Sequence, residues 1–287
     1  MAAGCDDNTV KVWNVKTLDT DSVLPGMIYV VAFTRDSRHL LASTKKNEAF
    51  WCDLDTNARK PLPGYGGELR RVICVDLSPD RRVAALGFED GMIHVLEVDN
   101  GKSLGLFQGH SGRVRTLSFS PDGNLLVSGG ADFAVKVWDV KNQTKLGEKK
   151  EHKGAVCAAV MSHDGKLMAS GCGVGTLKLW NPVNLTNSLI TIPCHKSAMR
   201  TLDFSWDGQT LASGGEDKKV KLWNVASLVD LKSQREVASF PVTDKVRLVQ
   251  FSPDNNILAI VTDDGVLRLL RAMTWEEAEA EPEAAKQ

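Results

Sequence analysis

The sequence predicts an all-β protein built from one antiparallel unit written seven times. The unit is clearest in residues 109–140, GHSGRVRTLSFSPDGNLLVSGGADFAVKVWDV. Apolar residues at Val114, Leu117 and Phe119, from Leu125 to Val127 and from Val135 to Trp138 are parted by turns at Ser120–Gly123 and Gly129–Asp132. Short runs of β-branched and aromatic residues between Pro, Asp and Gly are strands joined by hairpins, because Pro and Gly hold the backbone angles that tight turns need. The closing Trp138 is echoed by Trp13, Trp51, Trp180 and Trp223, and Leu96 and Leu270 fill that place in two weaker copies. Successive spacings are 38, 45, 42, 42, 43 and 47 residues. Relatives of the Ser-Pro-Asp-Gly turn stand at 78–80, 162–165, 205–208 and 252–254.

A period near 40 to 45 residues with four strands per period, Gly-His ahead and Trp-Asp at the end is the pattern of a propeller blade. On those residues the chain resembles the WD-repeat β-propeller family from residue 2 to about residue 272. The likeness of its repeats to one another, and the Leu-Leu-Arg-Ala run that leads to Thr274-Trp275-Glu276-Glu277, are similar to bacterial WD-repeat regions, many of which lie C-terminal to a kinase or another signalling domain.

Taken in order, the first unit (residues 2–24) is cut short. Asp7 precedes Trp13 as Asp132 precedes Trp138, but no Gly-His or first strand comes before it. Met27 to about Pro63 and Arg71 to Gly109 are degenerate second and third copies, joined through Gly64, Gly66 and Gly67. The fourth, fifth and sixth copies are well kept, and the seventh fades from Val246 to Leu270. Three strands in each terminal unit and four in each of the others give 26, where seven complete blades need 28. The expected architecture is therefore a seven-bladed propeller of four-stranded antiparallel blades with an incomplete seam. A six-bladed ring, in which the N-terminal segment completes the last blade, is the alternative. An open seam is a liability, so an N-terminal extension or domain in the natural chain is expected. Residues 1–273 form the propeller; 274–287 read as a short acidic helix or tail, with a capping box at Thr274 and Glu277 and a stop at Pro282.

Composition narrows the function. Among 287 residues, 43% are hydrophobic and 25% charged, which is ordinary for a globular domain. A formal net charge of −1 offers no field for nucleic acid or an anionic membrane. No signal peptide and no run of eighteen apolar residues occurs. The six cysteines, Cys5, Cys52, Cys74, Cys157, Cys172 and Cys194, show no C-x-x-C and no matched spacing, which fits a reducing cytoplasm and argues against zinc or disulfides.

In the family that the chain resembles, a His before the first strand, a Ser or Thr in the second, an Asp in the next turn and the Trp of the third form a buried tetrad. The resemblance places it twice, on His110, Ser128, Asp132 and Trp138, and on His195, Ser213, Asp217 and Trp223. The fifth unit keeps His152, Ser170 and Trp180 but has Val174 in the Asp place, so its network lacks an acceptor. Leu24, Glu68 and Val242 replace the His elsewhere. A Ser-His-Asp set that recurs once per repeat and ends on a Trp is a structural device, not a hydrolytic triad, which needs one exposed constellation. The glycines at 171, 173 and 175 match no phosphate loop, since no Gly-Lys-Ser/Thr follows. Neither a cofactor nor a metal is expected.

One surface stands out. In a propeller of this family the starts of the first strands and the turns before the third build the channel rim. Arg71, Arg113, Arg115, Arg200, Lys245 and Arg247 fall on it, with Asp6, Glu89, Glu216 and Asp263 beside the tetrad Asp positions. A mixed charged ring is a docking surface for a protein or peptide; its bland counterpart is a rim whose charges pair with one another. The expected function is a non-catalytic interaction scaffold in an assembly or signalling context. The alternatives are a lactonase- or lyase-type propeller enzyme with a site at the channel mouth, and nucleic-acid binding through the arginines.

Overall fold

The structure is a computed structural model that describes residues 2–4, 9–13, 20–25, 28–33, 39–44, 49–62, 71–229 and 236–271. Among these residues lie 26 strands in seven antiparallel sheets and one short helix. The first sheet joins β1 (Ala2–Gly4), β2 (Thr9–Trp13) and β3 (Thr20–Pro25), and the second β4 (Ile28–Phe33), β5 (His39–Thr44), β6 (Ala49–Asp53) and β7 (Arg59–Pro61). The third is β8 (Val72–Leu77), β9 (Val83–Phe88), β10 (Met92–Glu97) and β11 (Ser103–Gln108); the fourth is β12 (Val114–Phe119), β13 (Leu125–Gly130), β14 (Val135–Asp139) and β15 (Thr144–Lys149). The fifth is β16 (Val156–Met161), β17 (Met168–Cys172), β18 (Thr176–Trp180) and β19 (Ile190–Pro193). The sixth is β20 (Met199–Phe204), β21 (Thr210–Gly215), β22 (Lys219–Asn224) and β23 (Glu236–Pro241), with helix α1 (Val225–Val229) between its last two strands. The seventh holds only β24 (Val246–Phe251), β25 (Ile257–Thr262) and β26 (Leu267–Arg271).

Each sheet is a meander because its turns are chemically self-sufficient. In the fourth sheet the Ser120 hydroxyl accepts the Leu125 N–H at 2.8 Å and donates to Asp122 Oδ1 at 2.5 Å, while Asp122 Oδ1 accepts the Asn124 N–H at 3.0 Å. The same Ser-to-Asp bond recurs at 78/80, 162/164, 205/207 and 252/254. These bonds, the serine hydroxyl first, hold the Asp122, Asp164, Asp207 and Asp254 carboxyls below their ordinary range. Helix α1 was not foreseen; Asn224 caps it by accepting the Ser227 N–H at 2.9 Å.

The first strands of successive sheets pack side by side, which arranges the sheets as blades around an axis. That approach needs glycine in the second strand. A Cβ at Gly87, Gly129, Gly171 or Gly214 would collide with Val114, Val156, Met199 or Val246 on the first strand of the next sheet. The corresponding place in β25 is Val261, fully buried. The chain has therefore filled the site where no further first strand arrives.

This corrects the expected blade count. Six sheets, those opening on β4, β8, β12, β16, β20 and β24, bring a first strand to the axis; among the described residues the sheet of β1–β3 has no such strand. The fold is an all-β propeller with six such blades and one incomplete sheet beside them, not seven equal blades. Nor do β1–β3 extend the last sheet by strand pairing, as the six-bladed alternative had it. The Lys11 ammonium of β2 donates to the Gly265 carbonyl in the β25–β26 turn at 3.4 Å, so the first and last sheets meet. Cys52, Cys74, Cys157, Cys172 and Cys194 are free thiols. The acidic segment 274–287, together with Cys5 and Asp6, lies outside the described residues.

Two buried carboxyls tie neighbouring blades. Asp76 of β8 accepts the Phe119 N–H at the end of β12, and Asp203 of β20 accepts the Phe251 N–H at the end of β24, each at 2.7 Å. Burial pushes Asp76 up to about 6 and Asp203 up to about 7, against the pull of those amides. A folded-state pKa above the unfolded one means that the folded protein keeps a proton which the unfolded chain has released, so stability falls as pH rises from about 4 to about 7. The buried histidines work in the opposite sense, so the variant must be compared with the wild type at each pH. Asp203→Asn keeps an oxygen for Phe251 but cannot ionise. Its unfolding midpoint in denaturant should gain on the wild type across that window and run parallel to it above pH 8, by a few kcal/mol in order of magnitude.

Candidate functional site

The fourth and sixth blades each carry a connected polar chain in their interior. Trp138 Nε1–H donates to Ser128 Oγ at 2.9 Å, the Ser128 hydroxyl meets His110 Nε2 at 2.8 Å, and His110 Nδ1 meets Asp132 Oδ1 at 2.8 Å. In the sixth blade the corresponding distances are 3.2, 2.9 and 2.8 Å for Trp223, Ser213, His195 and Asp217. Burial pushes both histidines below their ordinary pKa, against the carboxylate's pull. A neutral ring accepts from Ser at Nε2 and donates to Asp from Nδ1, so each proton has one place to go. Burial raises Asp132, but the His110 bond and charge win and leave it below its ordinary value; in Asp217 the Lys196 amide and His195 do the same. Asp132 also accepts the Ser111 N–H at 3.1 Å. These residues are sealed in, with His110 and Ser128 at 1% and 0% exposure, which leaves no access for a substrate.

A glycine signal accompanies the His. Gly130 and Gly215 lie against the His110 and His195 rings, and a Cβ at either would strike Nδ1. Where the His is absent the place is filled. It is Phe88 in the third blade, 2% exposed, and Thr262 in the seventh, whose hydroxyl donates to Asp264 Oδ1 at 2.5 Å in place of a ring. Reading Ser-Gly-Gly together with the upstream His in the sequence would have found this pairing. The fifth blade is the misfit: His152 Nε2 meets Ser170 Oγ at 2.7 Å, but Cys172 stands at the glycine place and Val174 at the Asp place. His152 Nδ1 is buried without a hydrogen-bond partner. Burial, then the Lys178 charge, pushes His152 down to about 4.

Above the tetrads, the start of each first strand lies beside the turn between its blade's second and third strands. Backbone bonds of 2.8 to 3.0 Å join Glu89 to Arg71, Ala131 to Arg113, Glu216 to Ala198 and Asp263 to Lys245. Two carboxylates bridge blades there. Glu89 reaches Arg71 of its own blade at 4.0 Å and Arg113 of the next at 2.5 Å. Asp263 meets Arg247 of its own blade at 3.4 Å and Arg200 of the preceding one at 2.7 Å, while Arg200 also holds Glu216 at 2.7 Å. Burial lowers Arg200, but Glu216 and Asp263 more than reverse it. Seven of the nine rim residues thus form two networks, one joining the third and fourth blades and the other the sixth and seventh sheets, not one continuous ring. Arg115 is exposed and touches only Cys157 Sγ, at 4.0 Å, and Lys245 is exposed. Cys157 was not singled out in the sequence, although it takes in β16 the position that Arg115 takes in β12 and Arg200 in β20. At the other end of the first strands, His163 and Trp206 stack with centroids 4.1 Å apart, and Trp206 is 49% exposed.

Comparisons with known proteins agree with this architecture. A family model described as WD domain, G-beta repeat, matches residues 101–139, 143–181 and 186–224. The WD repeat-containing protein SL1-17 of Schistosoma mansoni is 29% identical over 105 residues, 36% of this chain and 34% of that protein. The chain therefore spans about a third of the length of this curated relative. A chain of a solved structure titled Crystal Structure of Mitotic Checkpoint Complex superposes with a TM-score of 0.81 at 24% identity, over 93% of this chain and 82% of that one, a likeness of fold.

Val174→Asp, made on a Cys172→Gly background that clears the Cβ beneath the ring, should complete the fifth blade. The turn is the same as in its neighbours, with a positive φ at Gly175 as at Phe133 and Lys218. A carboxylate there would accept from His152 Nδ1, adding about 1 to 2 kcal/mol and raising Tm by roughly 2 to 6 °C. The His152 pKa, followed by ring NMR, should climb from about 4. Ser128→Ala, which strands Trp138 Nε1 and His110 Nε2, should instead cost about 2 to 3 kcal/mol in thermal unfolding.

Proposed function

The chain is a WD-repeat protein, and from that premise we propose that it is a non-catalytic interaction scaffold in an assembly or signalling context whose rim docks acidic segments of partner proteins. WD40 propellers generally serve as scaffolds for protein interaction. The observation that carries the rim reading is an imbalance of charge. Among the described residues six cations, Arg71, Arg113, Arg115, Arg200, Lys245 and Arg247, share the rim with three carboxylates, Glu89, Glu216 and Asp263. Arg113 and Arg115 are exposed beside each other on the fourth blade, and a carboxylate that replaces water there gains charge-assisted hydrogen bonds. The networks around Glu89 and Asp263 hold the neighbouring guanidinium groups in place, which lowers the cost of ordering them on binding.

The tetrad residues support that surface from beneath: Asp132 and Asp217 fix the turns on which it is built. Among the described residues no group of three or more His, Cys, Asp or Glu is placed to hold a metal. Turnover of a lactone abolished by a chelator would favour the enzyme reading instead. Nucleic-acid binding would use the same arginines, and its signature would be an affinity that falls steeply with salt. No helix among the described residues is long and apolar enough to cross a membrane. A cytoplasmic setting completes the proposal.

The decisive variant reverses charge where the networks are least disturbed. Arg115→Glu with Lys245→Glu, the two exposed rim cations outside both networks, should abolish capture of rim-dependent partners in an affinity pull-down, with Tm within about 2 °C of the wild type. Trp206→Ala, at the other end of the blades, should leave capture unchanged. Partners that survive the double reversal unaltered would refute rim docking.

A further inference from the structure

The last sheet stops one strand early. Among the described residues no strand pairs with the outer edge of β26, and Leu267 to Leu270 are half-buried where the third strands of the fourth and fifth blades are almost wholly buried. Setting aside the second blade, which has Phe50 at the place in question, what is missing can be read from the other four-stranded blades, because each answers one position of its third strand from the fourth. That position is Lys136, Lys178 or Lys221, paired in register with the tetrad serine. The Lys136 ammonium meets Glu148 of β15 at 3.4 Å and Lys221 meets Glu236 of β23 at 2.5 Å. Lys178 donates to Thr191 of β19 at 2.7 Å, and His94, at the same place in the third blade, bonds Ser103 of β11 at 2.9 Å.

In β26 the position is Arg268, in register with Ile260. Its Nη2 donates to Thr243 Oγ1 at 3.0 Å, but Nη1 is buried with no hydrogen-bond partner. The register also specifies the neighbours of the absent acceptor. Opposite the three third-strand residues around the basic position lie Gly147-Glu148-Lys149, Ile190-Thr191-Ile192, Ala238-Ser239-Phe240 and Gly105-Leu106-Phe107. The residue facing Lys136 or its equivalent is followed by a bulky apolar residue in three of these four, and preceded by Gly or Ala in three. On β26 that apolar residue would lie against Leu267, which packs on Val261.

We propose that the outer edge of β26 is a strand-addition site for an extended segment of a partner protein that carries a small residue, a Glu and a bulky apolar residue in succession, with the Glu opposite Arg268. Main-chain bonds along the edge supply affinity and the half-buried Arg268 guanidinium supplies selectivity. The chain's own acidic run is a poor match. Each of Glu276, Glu277, Glu279, Glu281 and Glu283 is followed by Glu, Ala or Pro. A second copy fits no better, since β26 laid antiparallel on β26 sets Arg268 and Arg271 of both copies against like charge. The rim arginines take no part, so this site and rim docking stand or fall separately.

The test uses the full chain and a fluorescein-labelled peptide, Lys-Thr-Val-Ala-Glu-Phe-Thr-Val-Lys. Saturable binding by anisotropy is expected, with hydrogen-exchange protection confined to the β26 amides. Arg268→Gln should weaken it about tenfold, and Arg268→Glu should prefer the peptide whose Glu is replaced by Lys. Equal binding to wild type and Arg268→Glu, protection elsewhere, or no binding would each overturn the proposal. Neutralising the five tail glutamates to Gln is the last arm: a tenfold gain in peptide affinity would show that the tail already fills the edge, which also overturns it.

Discussion

The constraint on which the rest depends is the close approach of each first strand to the second strand of the blade before it. Glycine at 87, 129, 171 and 214 allows it, and the valine or methionine side chains that enter, Val114, Val156, Met199 and Val246, are all fully buried. Dispersion and apolar burial reward that contact only when it is tight, since a gap of even half an ångström forfeits much of the attraction. The blades therefore pack as a ratchet, each seated in the notch of its neighbour. Val261, which fills the notch of the last blade, shows the same rule from the other side.

Above that notch, one position is solved in several ways. A His ring needs a glycine beneath it and a carboxylate beyond it, as in the fourth and sixth blades. Phe88 dispenses with both by filling the space with an apolar ring, and Thr262 brings its own hydroxyl to Asp264. These solutions are alternatives because a buried polar group is favourable only when every partner is present. His152 mixes two of them, retaining the ring while losing the acceptor, and the cost appears as a ring that resists protonation until about pH 4.

Much of this was legible in the sequence, because period, turn residues and the Trp positions report covalently local physics. The Ser-x-Asp turns close on their own side chains, so a five-residue window predicts them. The tetrads were placed through the family resemblance, residue by residue, and not by period or spacing alone. The blade count was not: it depends on which sheet owns a first strand, and that is decided at the seam between residues far apart in the chain, Lys11 and Gly265 among them. Asp76 and Asp203 escaped notice for the same reason, since the amide each one holds belongs to the next blade. The rim arginines could be placed on a face, but their division into two networks hangs on side-chain reach across blades.

The blades also divide labour along their radius. Second strands such as β9 and β13 are buried at five of six positions and consist of small and aliphatic residues, so almost any change there disturbs two sheets at once. Outer strands such as β15 and β23 are largely exposed, and their attachments are single ion pairs on a lysine stem that also lies over a ring, as Lys221 does 5.7 Å from Trp223. An outer strand thus contributes main-chain bonds and one charge-matched contact, and little of the core. Among the described residues β24 and β25 carry the packing of the seventh sheet through Val246, Val249, Leu258 and Ile260 without a fourth strand, while β26 has a guanidinium nitrogen with no hydrogen-bond partner among them. Variation that leaves the packing undisturbed is confined by the same gradient to the rim and the outer strands.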